Sequence, residues 1–403
     1  MVTRKRHRLV FVRLALAALG FHAGMTRALG AEHDLPGGLG LATSGTLSLT
    51  YDDNALLGRR GQFLDSPAQG ENRRKELATR QAIDIEVARS LGVDTRASLT
   101  GRFDFAKIRS SDELAGWDAS SGASIDIGLP SRTRLFPQVN VVYHREQPEW
   151  TFRTIEPAVR AVRTLESGLL MDVVYRYSIQ DFARRGNGIP ERKNSYGNVD
   201  FRGHRATLDL RQWLGRRLRL NVRGEAWTAT YGGHISATLA DYAGLSEGQE
   251  RADRGGGVLG EVLHAPRSWL LLSAGVRYDR NDSNGNAFTF WDVRAIGSAL
   301  LSLRERHSLF AQLDYGRYDF PNEHFDRRYA NTRVDFRREV VALYRFAATE
   351  RFKLEAVFRR IDAISSDCSS FNPLRDASGL PVYSRSYSCY GRTRMETSAR
   401  WEF

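Results

Sequence analysis

The chain closes on Arg392-Thr393-Arg394-Met395-Glu396-Thr397-Ser398-Ala399-Arg400-Trp401-Glu402-Phe403. Every second residue, Arg392, Arg394, Glu396, Ser398, Arg400 and Glu402, is charged or polar, while the residues between them are apolar or small and end in Trp401 and Phe403. A period of two belongs to a β-strand, whose side chains point alternately to opposite faces. This strand has one wet face and one greasy face.

The same two-faced pattern runs back to residue 41. About ten residues alternate, a tight turn follows, ten more alternate, and a longer polar connection comes next. The tight turns are Ser90–Asp94, Pro130–Thr133, Leu165–Gly168, Trp213–Arg216, Ala265–Ser268, Leu303–Arg306 and Ala347–Glu350. The longer connections are 52–74, 108–119, 146–153, 183–200, 231–254, 281–289, 318–332 and 360–390. Together they separate about 16 strands (14–18), with Pro148 and Pro157 blurring the stretch 146–164. An even count puts both ends and all short turns on one side, and all long connections on the other.

The greasy face decides the solvent it meets. Ala97, Leu99, Gly101, Phe103, Phe105 form one such set, Leu218, Leu220, Val222, Gly224, Ala226 a second, and Leu270, Leu272, Ala274, Val276, Tyr278 a third. None carries a charge, as lipid requires, since a basic side chain at the bilayer midplane costs about 2–4 kcal/mol. Where these strands approach the long connections, the last outward residue is Tyr51, Phe105, Tyr143, Tyr177, Tyr278, Tyr315 or Phe358. A ring of aromatic residues at one height reads as an interfacial girdle. The expected fold is all-β, a transmembrane antiparallel up-and-down barrel.

Composition fits once the barrel is in view. The 403 residues have a mean hydropathy of −0.43 and a formal charge of +12. Half of every strand faces water, which lowers the average. Arg4, Lys5, Arg6, Arg8, Arg13 and Arg27 precede residue 31 with no acid among them. Apart from Arg13, which interrupts it, they flank the apolar run Leu9–Phe21 of a secretory signal, so residues 1–30 are expected to be removed and the remaining charge falls to about +6. Residues 31–40 are then expected as a short periplasmic segment and 41–403 as the barrel; nothing points to nucleic acid. Export also permits Cys368 and Cys389 to pair within the last long connection. The bridge would close about 22 residues and contribute roughly 3 kcal/mol in the loop-entropy view.

The wet faces carry the candidate chemistry. On the four strands of cleanest parity they hold Arg96, Arg102, Arg217, Arg219, Arg223, Arg277, Arg392, Arg394 and Arg400 against Asp104, Glu225, Asp279, Glu396 and Glu402. Such arginines can guide anions along a lumen, or they can ladder with acids across strands and stiffen the wall; both readings stand. Nine histidines are scattered without ligand spacing, and no Gly-x-Ser-x-Gly elbow occurs, so no catalytic residue, metal or cofactor is expected. His144 and Ser178 fall near loop-side strand ends, and Asp279–Asn286 is rich in oxygen ligands without the acid an EF-hand frame needs.

The terminal strand ending in Trp401 and Phe403 resembles the sorting signal of bacterial outer-membrane β-barrels, and the segregated loop lengths resemble their plan of short periplasmic turns and long extracellular loops. The resemblance implies outer-membrane lipid, lipopolysaccharide and the barrel-assembly machinery as partners. Tyr51-Asp52-Asp53-Asn54 further resembles the start of porin-like barrels encoded with exopolysaccharide export systems. That resemblance implies a conduit for secretion of an exopolysaccharide, served by separate periplasmic export proteins, since only about ten residues precede the first strand. The alternatives are a general or anion-leaning diffusion porin for small solutes and a non-transport surface scaffold.

Overall fold

The computed structural model describes residues 33–35, 39–52, 76–108, 111–145, 152–182, 200–232, 251–284, 289–321, 333–365, 374–375, 381–382 and 390–402. Sixteen long strands make the wall: β1 Leu39–Asp52, β2 Glu76–Gly92, β3 Thr95–Ile108, β4 Ser111–Leu129, β5 Thr133–Arg145, β6 Phe152–Thr164, β7 Leu170–Phe182 and β8 Asp200–Trp213. The second half continues with β9 Leu218–Gly232, β10 Arg251–Arg267, β11 Leu270–Ser283, β12 Phe290–Leu303, β13 His307–Phe320, β14 Arg333–Ala347, β15 Phe352–Ser365 and β16 Tyr390–Glu402. Each strand pairs antiparallel with its sequence neighbours, and β16 closes on β1 from Glu402↔Ser44 to Arg394↔Asp52. The sheet has no open edge.

The registers fix the dimensions. Followed once round the circuit, they return to β1 displaced by about 20 residues. Sixteen strands about 4.8 Å apart with that stagger tilt by about 40° and enclose a backbone radius of about 15 Å. At this strand number side chains no longer fill the interior.

All seven expected tight turns connect strands at one end. Two of them hold consecutive non-glycine residues at positive φ, Ser131 (64°) with Arg132 (55°) and Arg304 (50°) with Glu305 (59°). That is the mirror-image turn whose twist suits a hairpin. At the other end the expected connection 108–119 is mostly strand: β4 begins at Ser111, and β3 and β4 pair at Phe105↔Trp117 and Ala106↔Gly116 and, past a register shift, at Ile108↔Ser111. The polar run Ser111-Asp112-Glu113 mimics a loop, yet it lies within β4, where Ser111 pairs with Ile108. The strand His33–Leu35 folds back on Leu39–Leu41, so the ladder begins within the segment expected as a periplasmic lead. The secretory signal, Cys368, Cys389 and Phe403 lie outside the described residues.

Side-chain alternation holds round the circuit apart from register shifts near strand ends, at Ser90/Gly92, Ala106/Ile108 and His264/Arg267. Leu99, Val276 and Met395 are 62%, 57% and 49% exposed on the outer face. Most buried positions are instead small or polar and face inward, among them Ala82, Ala158, Ser48, Asp104, Asp279 and Asp292.

Candidate conduit through the barrel

The inner wall is a lattice of arginine–carboxylate pairs. Many join residues two apart on one strand, which share a face: Arg277 with Asp279 at 2.6 Å, Arg211 with Asp209 at 2.8 Å, Arg394 with Glu396 at 2.7 Å. Others cross strands, as Arg80 with Asp104 at 2.6 Å, Arg160 with Asp172 at 2.6 Å and Arg359 with Glu339 at 2.7 Å. Most of the expected lumen arginines belong to this lattice. Arg96 meets Glu86, Arg102 meets Asp84 and Asp104, Arg223 meets Asp209, Arg277 also meets Glu225, and Arg400 approaches Glu402. Arg217 lies in a tight turn, where its carbonyl accepts a hydrogen bond from the Ala265 amide. The side chain of Arg392 lies outside the described residues. Counted over all sixteen strands, inward acids and bases nearly balance; the basic excess of four strands does not extend to the whole wall.

The balance is uneven in space. Strands β6–β9 bring Arg160, Arg176, Arg205, Arg211, Arg219 and Arg223 onto one sector. Among the described residues Arg176, Arg205 and Arg219 have no acid partner. Two of them lie over indole rings instead, Arg205 over Trp227 (5.9 Å) and Arg219 over Trp213 (5.5 Å). At the loop-side end Arg251 covers Tyr231 (4.3 Å), which packs against Phe201 (5.3 Å), and beside the sector Phe136 is flanked by Arg134 and Arg160, each 5.6 Å away. Aromatic faces and guanidinium groups thus alternate along β8 and β9 from one mouth to the other. Trp213, Trp227 and Tyr231 were absent from the sequence-derived site, although their odd numbers place them with Arg219 and Arg223 on the inward face.

The outer face carries the complementary pattern. By register, Tyr51, Phe105, Tyr143, Tyr177, Tyr278, Tyr315 and Phe358 stand at one height to within about 3 Å. Below them an uncharged band of outward residues runs down to Arg89 and Arg163, a height of roughly 25 Å. The barrel is built to sit in an outer membrane. No family model matches the chain, and no curated protein does either. Among solved structures, the fold is similar to a loop-deletion form of OmpT, an outer membrane protein of Vibrio cholerae, with 9% identity, 91% of this chain and 99% of that one covered, and a TM-score of 0.48. It is also similar to a bacterial polysaccharide outer membrane secretin (9% identity, 90% and 98% covered, TM-score 0.46) and to an anion-selective porin from Comamonas acidovorans (8%, 91% and 100%, 0.44). The assignment of the fold rests on the closed pairing and the outer band.

The remaining candidates resolve into wall contacts. His144 is held by Asp118 and stacks on Phe152 at 4.6 Å, while the Ser178 hydroxyl donates to Glu156 at 2.9 Å. They stand two strands apart and do not form a nucleophile–base pair. In the oxygen-rich stretch, Asp279 is engaged by Arg277 and Arg294, Asp282 by Arg280, and Asn281 accepts from the Trp227 indole at 3.2 Å.

Proposed function

We propose that this barrel is an outer-membrane conduit for an acidic polysaccharide, with the arginine–aromatic track on β8 and β9 as its guide. The observation that carries this reading is the alternation Trp213/Arg219, Arg211/Arg223, Arg205/Trp227, Tyr231/Arg251 along the lumen. An indole or phenol face offers an apolar platform to the C–H face of a sugar ring, and a guanidinium fork hydrogen-bonds a carboxylate bidentately. Repeating the two in turn gives a chain of acidic sugars successive weak footholds, and weak multiple sites are what passage needs. A lumen of about 15 Å backbone radius supports transport over a purely scaffolding role.

A second reading, a diffusion porin for small solutes, is supported by the near balance of paired charges on the rest of the wall. Single-channel recording in planar bilayers separates the two. The expected result is open conductance blocked by uronic-acid oligosaccharides, with the blocking affinity falling about tenfold in Trp213→Ala/Trp227→Ala. Conductance indifferent to any oligosaccharide favours the porin, and an absence of conductance removes both.

A further inference from the structure

One stretch of the inner wall is not built of ion pairs. Leu271 on β11, Leu300 on β12, Phe310 on β13, Leu343 on β14 and Val357 on β15 stand directly opposite one another, as Leu271↔Leu300, Leu300↔Phe310, Phe310↔Leu343 and Leu343↔Val357, and all five point inward. They form an unbroken apolar row across five strands, about 19 Å along the hydrogen-bond direction. Each is only half-buried. Leu263 on β10, diagonal to Leu271 through Ser273, carries the row on to β9, where it stands opposite Arg219. Polar side chains border the row on both sides: Ser273 bonded to Ser298 (2.7 Å) and then Gln312 toward the loops, Ser302 opposite Ser308 toward the turns. In the basic sector, by contrast, inward valines stand between polar partners, Val174 between Arg160 and Thr207 and Val162 between Arg134 and Asp172.

We propose that this row binds the tail of a single-chain fatty acid inside the lumen, with the carboxylate at Arg219. Contiguity is the first argument: five aligned apolar side chains keep hydrocarbon against lumen water, and an alkyl chain laid along them removes both from it. Closing the sheet does not require them, since the same inward positions elsewhere hold Ser, Asp and Arg. Shape is the second. The row is one side chain wide between hydroxyl borders, which suits a linear chain and not a ring system or a two-chain lipid. Charge sets the direction. At the β14–β15 end the cations are engaged, Arg345 by Glu355 and Arg359 by Glu339. At the β9 end Arg219 has no acid partner among the described residues, nor has Arg217 at the adjoining turn, and a guanidinium fork matches a carboxylate. The row lies close to the tight turns, so the ligand enters from that mouth. It meets the arginine–aromatic track only at Arg219 and stands whether or not a glycan follows that track.

The test uses the full-length folded barrel in phosphatidylcholine nanodiscs and palmitate carrying a photoreactive diazirine on its tail, with labelled residues mapped by mass spectrometry of the digest. Neighbouring residues report opposite faces: Leu300, Phe310 and Leu343 face the lumen, Leu301, Leu309 and Ala342 the lipid. Lumen labelling is expected to saturate and to be competed by plain palmitate, while lipid-side labelling rises linearly with probe. A probe with the same tail on a trimethylammonium head is expected to label the lumen positions about tenfold less. In Leu300→Ser/Phe310→Ser/Leu343→Ser, labelling of Leu271 and Val357 is expected to fall to background, with lipid-side labelling and unboiled gel migration showing that the barrel is folded. Arg217→Gln/Arg219→Gln, which breaks no ion pair, is expected to weaken palmitate competition about tenfold. Labelling confined to the lipid side, equal lumen labelling by the cationic probe, or saturable lumen labelling unchanged in both variants overturns the proposal.

Discussion

More charge converges on Arg294 than on any neighbour in its part of the wall. It faces Asp279, Asp292 at 3.3 Å and Asp314 at 3.9 Å, and Asp279 stands directly opposite Asp292 across β11 and β12. Two buried acids opposite one another repel, so removing the arginine leaves Asp292 uncompensated and Asp279 with Arg277 alone. Arg294→Gln is expected to cost about 3 kcal/mol, read as a lower urea midpoint of the folded gel band. Arg345→Gln, which breaks the half-exposed pair with Glu355, is expected to cost under about 1 kcal/mol. These partnerships were partly legible: Arg277-x-Asp279, Arg317-x-Asp319, Arg360-x-Asp362 and Arg394-x-Glu396 put opposite charges two apart, on one face of a strand. The cross-strand half was not, because which strands meet at which register is set by the closed sheet. Reading four strands alone therefore overstated the positive charge of the wall.

Elements were legible wherever alternation met a tight turn, and less so where chemistry interrupts the ladder. Pro157 has no amide hydrogen, and the β6–β7 ladder, though it keeps one register, has no pairs at 156 and 157, between Ile155↔Ile179 and Ala158↔Arg176, which is why 146–164 blurred. Tyr231 leaves the girdle because its odd number sends it inward with Trp227, without a bulge. On β10, Gly255 and Gly257 make room for the wall: a Cβ at Gly257 would stand 1.9 Å from the Asp279 Oδ1, and one at Gly255 2.3 Å from the Trp227 ring and 2.4 Å from the Arg280 carbonyl. Gly257→Ala is expected to destabilise by about 1–3 kcal/mol, and Gly255→Ala to displace the indole and weaken oligosaccharide block as Trp227→Ala does. In the opposite direction, Arg304→Asn/Glu305→Gly suits the positive φ of both residues and is expected to raise stability by about 1 kcal/mol in the same urea assay.

At the scale of the whole barrel, low hydropathy, even strand count and segregated loops foretold closure, but the lumen's polarity needed all sixteen registers. The basic sector on β6–β9 predicts selectivity: Arg176→Gln/Arg205→Gln/Arg219→Gln is expected to lower the chloride-to-potassium permeability ratio about twofold at low salt, and less as salt screens the wall. An unchanged reversal potential would place these residues off the conducting path. Closure itself has a mechanical side. The seam between β16 and β1 is only nine pairs long, and Trp401 covers Gly45 there so closely that a Cβ would sit 2.5 Å from the indole nitrogen. Every other strand in the wall is joined to its neighbour by a loop or turn, whereas this seam has none. A force applied to the C-terminal strand should shear this seam first and then peel the barrel one hairpin at a time, so that a force–extension trace rises and falls once per hairpin.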